Sequence, residues 1–364
     1  MEEWKSYKMG DLFTLEYGKP VEDKDSIDGP IPVFGTNGQI GTSHLAPLCN
    51  HPSVILGRKG AYRGVHFSDR PFSVIDTAFY VEPISDVFDI KWLYYKLLTY
   101  DINSMDSGSA IPSTDRYQIY SLSIDLPSLE VQKRTVRVLD SINDKIALNN
   151  RINHNLLNLA QELFNNSFVK NSCCSDTCRA ASLLDIAEYL NGLAMQKYPA
   201  TDGEVGIPVL KIKELGQQAC DANSDKCSES IPVQYVVNDG DIIFSWSGTL
   251  LVDFWCGGIC GLNQHLFKVS SDKFPNWFVY FWTKHHLDRF IRIAKDKAVT
   301  MGHIKRGDLG KAEVIIPEAS QMGELDEEIR PLISEYIDRR VENRKLRNLR
   351  DSLLPELMLG NLTC

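Results

Sequence analysis

Two stretches with a seven-residue apolar repeat constrain this chain more than any other feature. The first lies at about Leu129 to Phe168, and the second at about Gln321 to Leu359. Matching positions of the two stretches are 190 residues apart. Steps of three and four alternate along both, which is typical of a coiled-coil seam. The seam positions are Leu139, Ile142, Ile146, Asn149, Asn153, Leu156, Ala160 and Leu163 in the first copy and Ile329, Leu332, Tyr336, Arg339, Asn343, Leu346, Arg350 and Leu353 in the second.

Polar residues within the seam leave two interpretations open. Asn153 and Asn343 fall at the same step of the two copies, and a buried asparagine at such a position fixes register at a cost in stability. Arg339 and Arg350 fit a coiled-coil seam less well, because arginine there needs a partner. Ordinary amphipathic helices packed on a core are the alternative.

The repeat extends beyond the helices, so that each half consists of a globular region followed by a long helix. The matched landmarks are Tyr17-Gly18 and Asn191-Gly192, Ile31-Pro32-Val33 and Ile207-Pro208-Val209, and the apolar strands with glycine turns at 54–60 and 241–248. Asn37-Gly38 between apolar runs predicts a tight hairpin. We therefore predict an α+β fold with two pseudo-repeated mixed α/β domains, at 1–128 and, with a linker, at 171–320. Long spacer helices are predicted at 129–170 and 321–364.

Composition places the chain among ordinary globular proteins, with 43% hydrophobic and 24% charged residues in 364. An apolar run of membrane-spanning length and a signal segment are both missing from the sequence, which predicts a soluble cytoplasmic protein without a membrane partner. The nine irregularly spaced cysteines are interpreted as reduced thiols. A net charge of −9 argues against indiscriminate binding to nucleic acid, although a local basic face is compatible with it.

Motifs that chemistry requires are missing from the sequence. Phosphate-binding glycine loops, a G-x-S-x-G nucleophile turn and the H-E-x-x-H metal motif are all absent. His285-His286 lies in an aromatic helical stretch, and Glu22-Asp23-Lys24 is interpreted as a solvated charged loop. We expect the chain by itself to catalyse nothing and to hold no metal or cofactor.

Polar and basic side chains concentrate where apolar strands run into glycine turns. The run Arg58-Lys59-Gly60-Ala61-Tyr62-Arg63 combines three cations with a planar ring, and arginine suits guanine while lysine suits phosphate. A solvated loop explains the run equally well. Lys211 and Lys213, flanking Ile212, are predicted to share one face of a strand. The candidate DNA-binding residues are Asn37, Arg58, Lys59, Tyr62, Arg63, Ser109, Thr114, Arg116, Lys211, Lys213, Trp246, Ser247, Thr249, Lys297, Thr300, His303 and Lys305.

The two glycine turns carry unlike side chains, since Ser245-Trp246-Ser247-Gly248-Thr249 replaces the basic run of the first half. Similar scaffolds with unlike turns suit two unlike targets. A seam from Leu139 to Leu163 would rise about 36 Å. Two modules on double-stranded DNA enter major grooves about 34 to 36 Å apart.

Several segments carry a resemblance to a known family: Glu342–Leu346, Leu349–Pro355 and Leu357–Gly360 in the second helix, with Phe34–Gly38, Leu159–Phe164 and Leu262–Phe267 in support. Over nearly its whole length, the chain resembles the specificity (S) subunits of type I restriction-modification systems.

The resemblance implies two target recognition domains, each of which reads one half of a split DNA sequence. It also implies an antiparallel helix pair that acts as a ruler and as the docking site for adenine methyltransferase (modification) subunits, which restriction/translocation subunits join. Catalysis and its cofactors would then belong to these partners. Two alternatives stay open: an assembly scaffold that binds proteins through duplicated domains, or the detached recognition part of a nuclease or methyltransferase.

Overall fold

A computed structural model describes residues 4–105, 112–170, 178–296 and 302–362. The chain divides into two compact units, Met1–Asp144 with Asn348–Cys364, and Lys145–Arg347. We call these unit 1 and unit 2. Among the helices of the described segments, none combines the length and apolar character that crossing a membrane would require.

Unit 1 is built around an antiparallel four-stranded sheet. Its elements in chain order are β1 (Lys5–Lys8), β2 (Phe13–Tyr17), β3 (Ile31–Gly35), β4 (Gly38–Ser43), β5 (Ser53–Gly57), β6 (Val65–Ser68), β7 (Ser73–Val74), β8 (Ala78–Pro83), α1 (Ile90–Leu97), α2 (Arg116–Ser121), β9 (Ser123–Leu126) and the start of the long helix α3 (Leu129–Phe164). The main sheet has the order β2-β8-β5-β6. A smaller sheet pairs β3 antiparallel to β4 and parallel to β7, and β1 pairs with β9.

Unit 2 repeats this topology. Its elements are β10 (Arg179–Ser182), α4 (Leu183–Ile186), β11 (Glu188–Asn191), β12 (Ile207–Leu210), α5 (Ile212–Gln217), β13 (Lys226–Cys227), β14 (Val236–Val237), β15 (Ile242–Ser245), β16 (Val252–Phe254), β17 (Cys260–Leu262), β18 (Leu266–Ser270), α6 (Asn276–His285), α7 (Leu287–Asp296), α8 (Arg306–Leu309), β19 (Glu313–Ile316) and the long helix α9 (Ala319–Leu359). The main sheet has the order β11-β18-β15-β16, and β12 pairs parallel to β17 as β3 does to β7.

The repeated topology confirms the predicted α+β class and the duplication. The predicted hairpin is also present, because β3 and β4 pair across the Thr36-Asn37 turn, and Gly38 adopts a φ of 114° that an L side chain disfavours. One local prediction is wrong. Lys211 and Lys213 do not lie on a strand, since β12 ends at Leu210 and Lys211 caps the helix α5.

The long helices pack antiparallel to each other within each unit. In unit 1, Arg350 of α9 donates to Asn143 of α3 over 3.1 Å. In unit 2, Asn149 donates to the Asn343 side chain over 2.9 Å, and Arg339 donates to Asn149 over 2.9 Å. Each arginine that fitted the seam poorly therefore meets an asparagine of the facing helix.

The seam positions predicted from the sequence are all buried or half-buried. The helices also complete the core of each unit, with Leu139 and Met358 in unit 1 and Phe164 and Ile329 in unit 2. The coiled-coil interpretation and the amphipathic-helix interpretation of the apolar repeat therefore both apply. The two long helices contact each other through polar side chains, and the same helices also cover the cores of the two units.

Candidate nucleic-acid interface

The glycine turn after β5 forms one edge of unit 1 together with residues 112–116. The Gly60 amide donates to the Pro112 carbonyl oxygen over 2.9 Å, and the Thr114 amide donates to the Arg58 carbonyl oxygen over 2.8 Å. Lys59 also forms a β-bridge with Ser113. We call residues 57–63 with 112–116 the first edge. Because backbone hydrogen bonds join its two segments, its outward side chains are not needed for its shape.

Two arginines of the first edge stack against the same tyrosine. The Arg58 guanidinium carbon lies 4.8 Å from the centre of the Tyr17 ring, and that of Arg116 lies 5.1 Å from it. Arg58 also donates to the Asp76 carbonyl oxygen over 2.7 Å, and the Lys59 ammonium lies 3.5 Å from the Asp76 carboxylate. Stacking on a ring orients a guanidinium while its remaining N–H groups stay available to an acceptor.

Exposed rings surround this pair of arginines. Tyr62 is 76% exposed, Tyr117 is 65% exposed and Tyr17 is 45% exposed. Asn37 is exposed as well, and its side-chain amide lies 2.7 Å from the Tyr62 carbonyl oxygen. The sequence prediction included Asn37 and Tyr62 but missed the other two tyrosines. In the sequence, Tyr17 is only a landmark of the repeat. Its contact with Arg58 arises from the fold, because the two residues are distant along the chain.

Two residues predicted for the first edge have structural roles instead. Arg63 is only 3% exposed, and its guanidinium donates to the carbonyl oxygens of Gly60, Ile102 and Asn103. Thr114 is 4% exposed and donates to the Gly57 carbonyl oxygen over 3.2 Å. Neither side chain faces solvent, so both predictions are corrected: these residues hold the turn in place.

Unit 2 has an equivalent edge at residues 245–249 with 302–306. The Gly248 amide donates to the Gly302 carbonyl oxygen over 3.1 Å, the Ile304 amide donates to the Trp246 carbonyl oxygen over 3.1 Å, and Ser247 forms a β-bridge with His303. We call this the second edge. Its backbone hydrogen bonds repeat those of the first edge.

Side chains of the second edge differ from those of the first. The Trp246 indole N–H donates to the Asn191 side chain over 2.8 Å, and the rings of Trp246 and His303 lie 6.4 Å apart. Thr249 and Lys305 are exposed. Ser247 is only 3% exposed and its hydroxyl lies 3.0 Å from His265 Nδ1, so the prediction of Ser247 as a direct DNA contact is corrected.

Lys211 and Lys213 lie elsewhere in unit 2, at the start of α5. The Lys211 ammonium pairs with the Asp225 carboxylate, and that of Lys213 lies 3.2 Å from the Asp221 carboxylate. The three remaining predicted residues, Ser109, Lys297 and Thr300, lie outside the described residues.

Two arginines tie the long helix α9 to the body of unit 2. Arg340 pairs with both carboxylate oxygens of Asp253, at 2.9 and 3.2 Å, and Arg344 pairs with those of Asp239, at 2.6 and 2.8 Å. Burial opposes the charge of Arg340, but the Asp253 carboxylate outweighs it and raises the pKa of Arg340. The Arg344 guanidinium lowers the pKa of Asp239. Arg340, Arg344 and Asp239 therefore carry their charges at neutral pH.

Comparison with known proteins shows what this chain is similar to. A family model described as the type I restriction modification DNA specificity domain matches residues 1–158. The specificity subunit of the type I restriction enzyme MjaIX of Methanocaldococcus jannaschii is 25% identical over 300 residues, which cover 75% of this chain and 69% of that subunit. The crystal structure of a type I restriction-modification S subunit from M. genitalium shares the fold, with a TM-score of 0.68, 15% identity, and coverage of 98% and 96% of the two chains. Residues 1–158 therefore match the type I restriction modification DNA specificity domain, and the chain shares the fold of a type I restriction-modification S subunit.

Proposed function

We propose that this chain is a type I restriction-modification specificity subunit that reads a bipartite DNA sequence, one half with each unit, and that the long helices set the spacing between the halves. The observation that carries the proposal is the Arg58–Tyr17–Arg116 stack, which places two guanidinium groups on one exposed face of unit 1. Arginine is the side chain that most often reads guanine, and it also binds phosphate. The first edge thus has the chemistry of a DNA contact.

Two domains with one topology and unlike edges support a split target. Equal backbone hydrogen bonds hold Arg58 in one unit and Trp246 in the other. A base contact made by arginine differs from one made by an aromatic ring, because the first reads hydrogen-bond acceptors and the second packs against apolar groups. The two units would therefore select different half-sites.

The helices support the proposal of docked partners. Leu349 on the unit 1 portion, and Leu148 and Leu159 on the unit 2 portion, are exposed although they lie on well-formed helices. Larger exposed apolar patches mark protein interfaces, and Leu148 and Leu159 lie about three turns apart on one face of α3. We assign the exposed faces of the long helices in each unit to methyltransferase subunits, with restriction/translocation subunits joining the assembly, and we place the complex in the cytoplasm with the DNA. Catalysis would then reside in the partners.

The test is duplex binding by the chain in complex with its methyltransferase partner, over a range of salt concentrations. If the edges contact phosphates, the logarithm of the binding constant falls linearly with the logarithm of salt, at close to one unit per phosphate contact. Sequencing of modified bases in cells with and without the chain should reveal one split motif that depends on it. Salt-independent binding, or methylation unaffected by loss of the chain, would favour the scaffold alternative.

A further inference from the structure

A cleft of about 740 Å³ opens in unit 2 next to the second edge. Its lining includes Lys211, Lys213 and Lys226 with a single acid, Asp225, and the neighbouring residues Gln264 and His265. The volume lies in the range of sites that enclose small molecules or parts of larger ones. Three lysines facing one aspartate make the lining cationic, which suits a polyanion.

Gln264 takes the place in unit 2 that Asp76 holds in unit 1. The parallel strand pairs β12–β17 and β3–β7 end at Leu262 and Val74, so Gln264 and Asp76 both come two residues after the pair. The amide of Trp246 donates to the His265 carbonyl oxygen over 3.4 Å, just as the amide of Arg58 donates to that of Thr77 over 2.8 Å.

Asp76 is the residue that Arg58 and Lys59 contact at the first edge. Its counterpart in unit 2, Gln264, therefore lies beside the second edge. At this position an amide replaces a carboxylate, and a carboxylate repels phosphates and cannot donate a hydrogen bond. The Gln264 amide can face DNA, whereas the Asp76 carboxylate faces the Lys59 ammonium.

A chain of hydrogen bonds orients the Gln264 amide. Gln264 Nε2 lies 3.4 Å from His265 Nε2, and His265 Nδ1 lies 3.0 Å from the buried Ser247 hydroxyl. Because the amide nitrogen can only donate, His265 Nε2 accepts and Nδ1 carries the proton. Gln264 then retains one N–H and its carbonyl oxygen, side by side, for a ligand.

The lysines on the cleft wall carry the positive charge that binding of a phosphate backbone requires. Lys211 and Lys213 are held by the side chains of Asp225 and Asp221, in half-exposed or exposed pairs. Pairs of this kind contribute little to stability, so the lysines can exchange a carboxylate for a phosphate at small cost.

We infer that Gln264 reads an adenine in the half-site recognised by unit 2, while Lys211 and Lys213 bind phosphates beside it. The adjacent donor and acceptor of a glutamine amide match adenine N7 and N6 in the major groove. This inference rests on the proposed function of a bipartite DNA reader. It adds to that proposal a reading residue, Gln264, the base that Gln264 reads, and the lysine-lined cleft beside it.

The inference is tested by the methylation motif of the chain expressed with its methyltransferase partner. Gln264→Ala should relax one A·T position in one half of the motif, with about a tenfold to hundredfold loss of discrimination there. Gln264→Glu keeps the acceptor and loses the donor, so it should disfavour adenine and accept a cytosine, whose N4 group donates. Gln234→Ala, an exposed glutamine of the same unit that does not line the cleft, is the matched control and should leave the motif unchanged.

An unchanged motif in both Gln264 variants, or relaxation in the half that Arg58→Ala alters, would overturn the assignment of Gln264. Thermal unfolding of each purified variant shows whether it is folded, and Gln264→Glu decides the matter if Gln264→Ala fails to fold. A wild-type chain that gives no split motif with its partner would instead overturn the proposed function itself, and the assignment of Gln264 with it.

Discussion

The first and second edges share a backbone and differ in almost every exposed side chain. Gly60 and Gly248 make the same hydrogen bond to the neighbouring segment, and Thr114 and Ile304 make the same bond back. Yet the side chain after the strand is Arg58 stacked on a tyrosine in one unit and Trp246 bonded to Asn191 in the other. The comparison teaches that the same main-chain hydrogen bonds hold both turns, whichever side chains face outward.

A turn held in this way leaves its outward side chains unconstrained by folding. The first edge uses this freedom for an arginine pair among exposed rings, and the second uses it for a tryptophan beside a lysine-lined cleft. Only inward residues such as Arg63 and Ser247 are tied to the fold. Two copies of one domain can therefore acquire different specificities while their stability is maintained by the same bonds.

The two units also differ in how they hold the second long helix, α9. Unit 2 uses the pairs Arg340–Asp253 and Arg344–Asp239. Unit 1 uses a buried lysine, Lys96, that donates to the Met358 carbonyl oxygen at the end of α9 over 2.6 Å. A buried lysine bonded to a carbonyl is not a charge pair, and burial lowers the pKa of Lys96.

The largest expected effect comes from breaking the Arg340 pair. Arg340→Ala leaves the Asp253 carboxylate largely buried without its cation, so we expect about 3 kcal/mol loss in the free energy of unfolding. The matched variant in unit 1 is Lys91→Ala, which removes a more exposed partner of Asp140 and should cost less than about 1 kcal/mol. Denaturant unfolding measures both. Equal losses would show that the two units are held to the helices in the same way.

The second expected effect separates two arginines of one turn. Arg63→Ala removes the donor to three carbonyl oxygens inside unit 1, and we expect a loss of about 2 kcal/mol in the free energy of unfolding. Arg58→Ala should cost about 0.5 kcal/mol, because its guanidinium is partly solvated. Thermal unfolding of the two variants decides this. A larger loss for Arg58→Ala would mean that the first edge depends on its outward side chains.

The third expected effect concerns DNA. Arg58→Ala should weaken binding to duplexes about tenfold to a hundredfold by losing contacts in one half-site only. Trp246→Ala should weaken binding through the other half-site. The measurement is a competition between duplexes altered in one half or the other, with each variant in complex with the proposed methyltransferase partner. If both variants respond to the same half, the two edges do not read separate targets.

Much of the architecture could be predicted because it rests on periodicity. The seven-residue repeat predicts helices that the structure bounds at Leu129–Phe164 and Ala319–Leu359, and Asn37-Gly38 predicts a hairpin. Interior and exterior positions of a turn are harder to predict, because burial depends on residues distant in sequence. From the sequence alone, Arg63 is predicted to be a surface cation. In the structure, the segment at 102–103 covers its side chain. Likewise, Tyr17 gains its partners only through the sheet that brings β2 near β5.

The smallest expected effect is a pH dependence confined to unit 2. The Arg344 guanidinium, helped by the Gly258 amide, holds the pKa of Asp239 below its ordinary value of 3.8. A carboxylate with a depressed folded pKa stabilises the protein above its unfolded pKa, and that contribution is lost as the pH falls from 3.8 through the folded value. Asp239→Asn should therefore be about 1 kcal/mol less stable than the wild type at pH 7, with the difference shrinking below pH 4.

Denaturant unfolding of wild type and Asp239→Asn from pH 7 to pH 3.5 measures this difference directly. Asp140→Asn, which removes the carboxylate beside Lys91 in unit 1, is the matched variant. A difference between wild type and Asp239→Asn that stays constant down to pH 3.5 would show that Arg344 binds the side chain through hydrogen bonds that an amide replaces only in part. The second long helix would then be held to unit 2 by shape and hydrogen bonding, as the end of α9 is held in unit 1, and the contrast between the two anchorages would disappear.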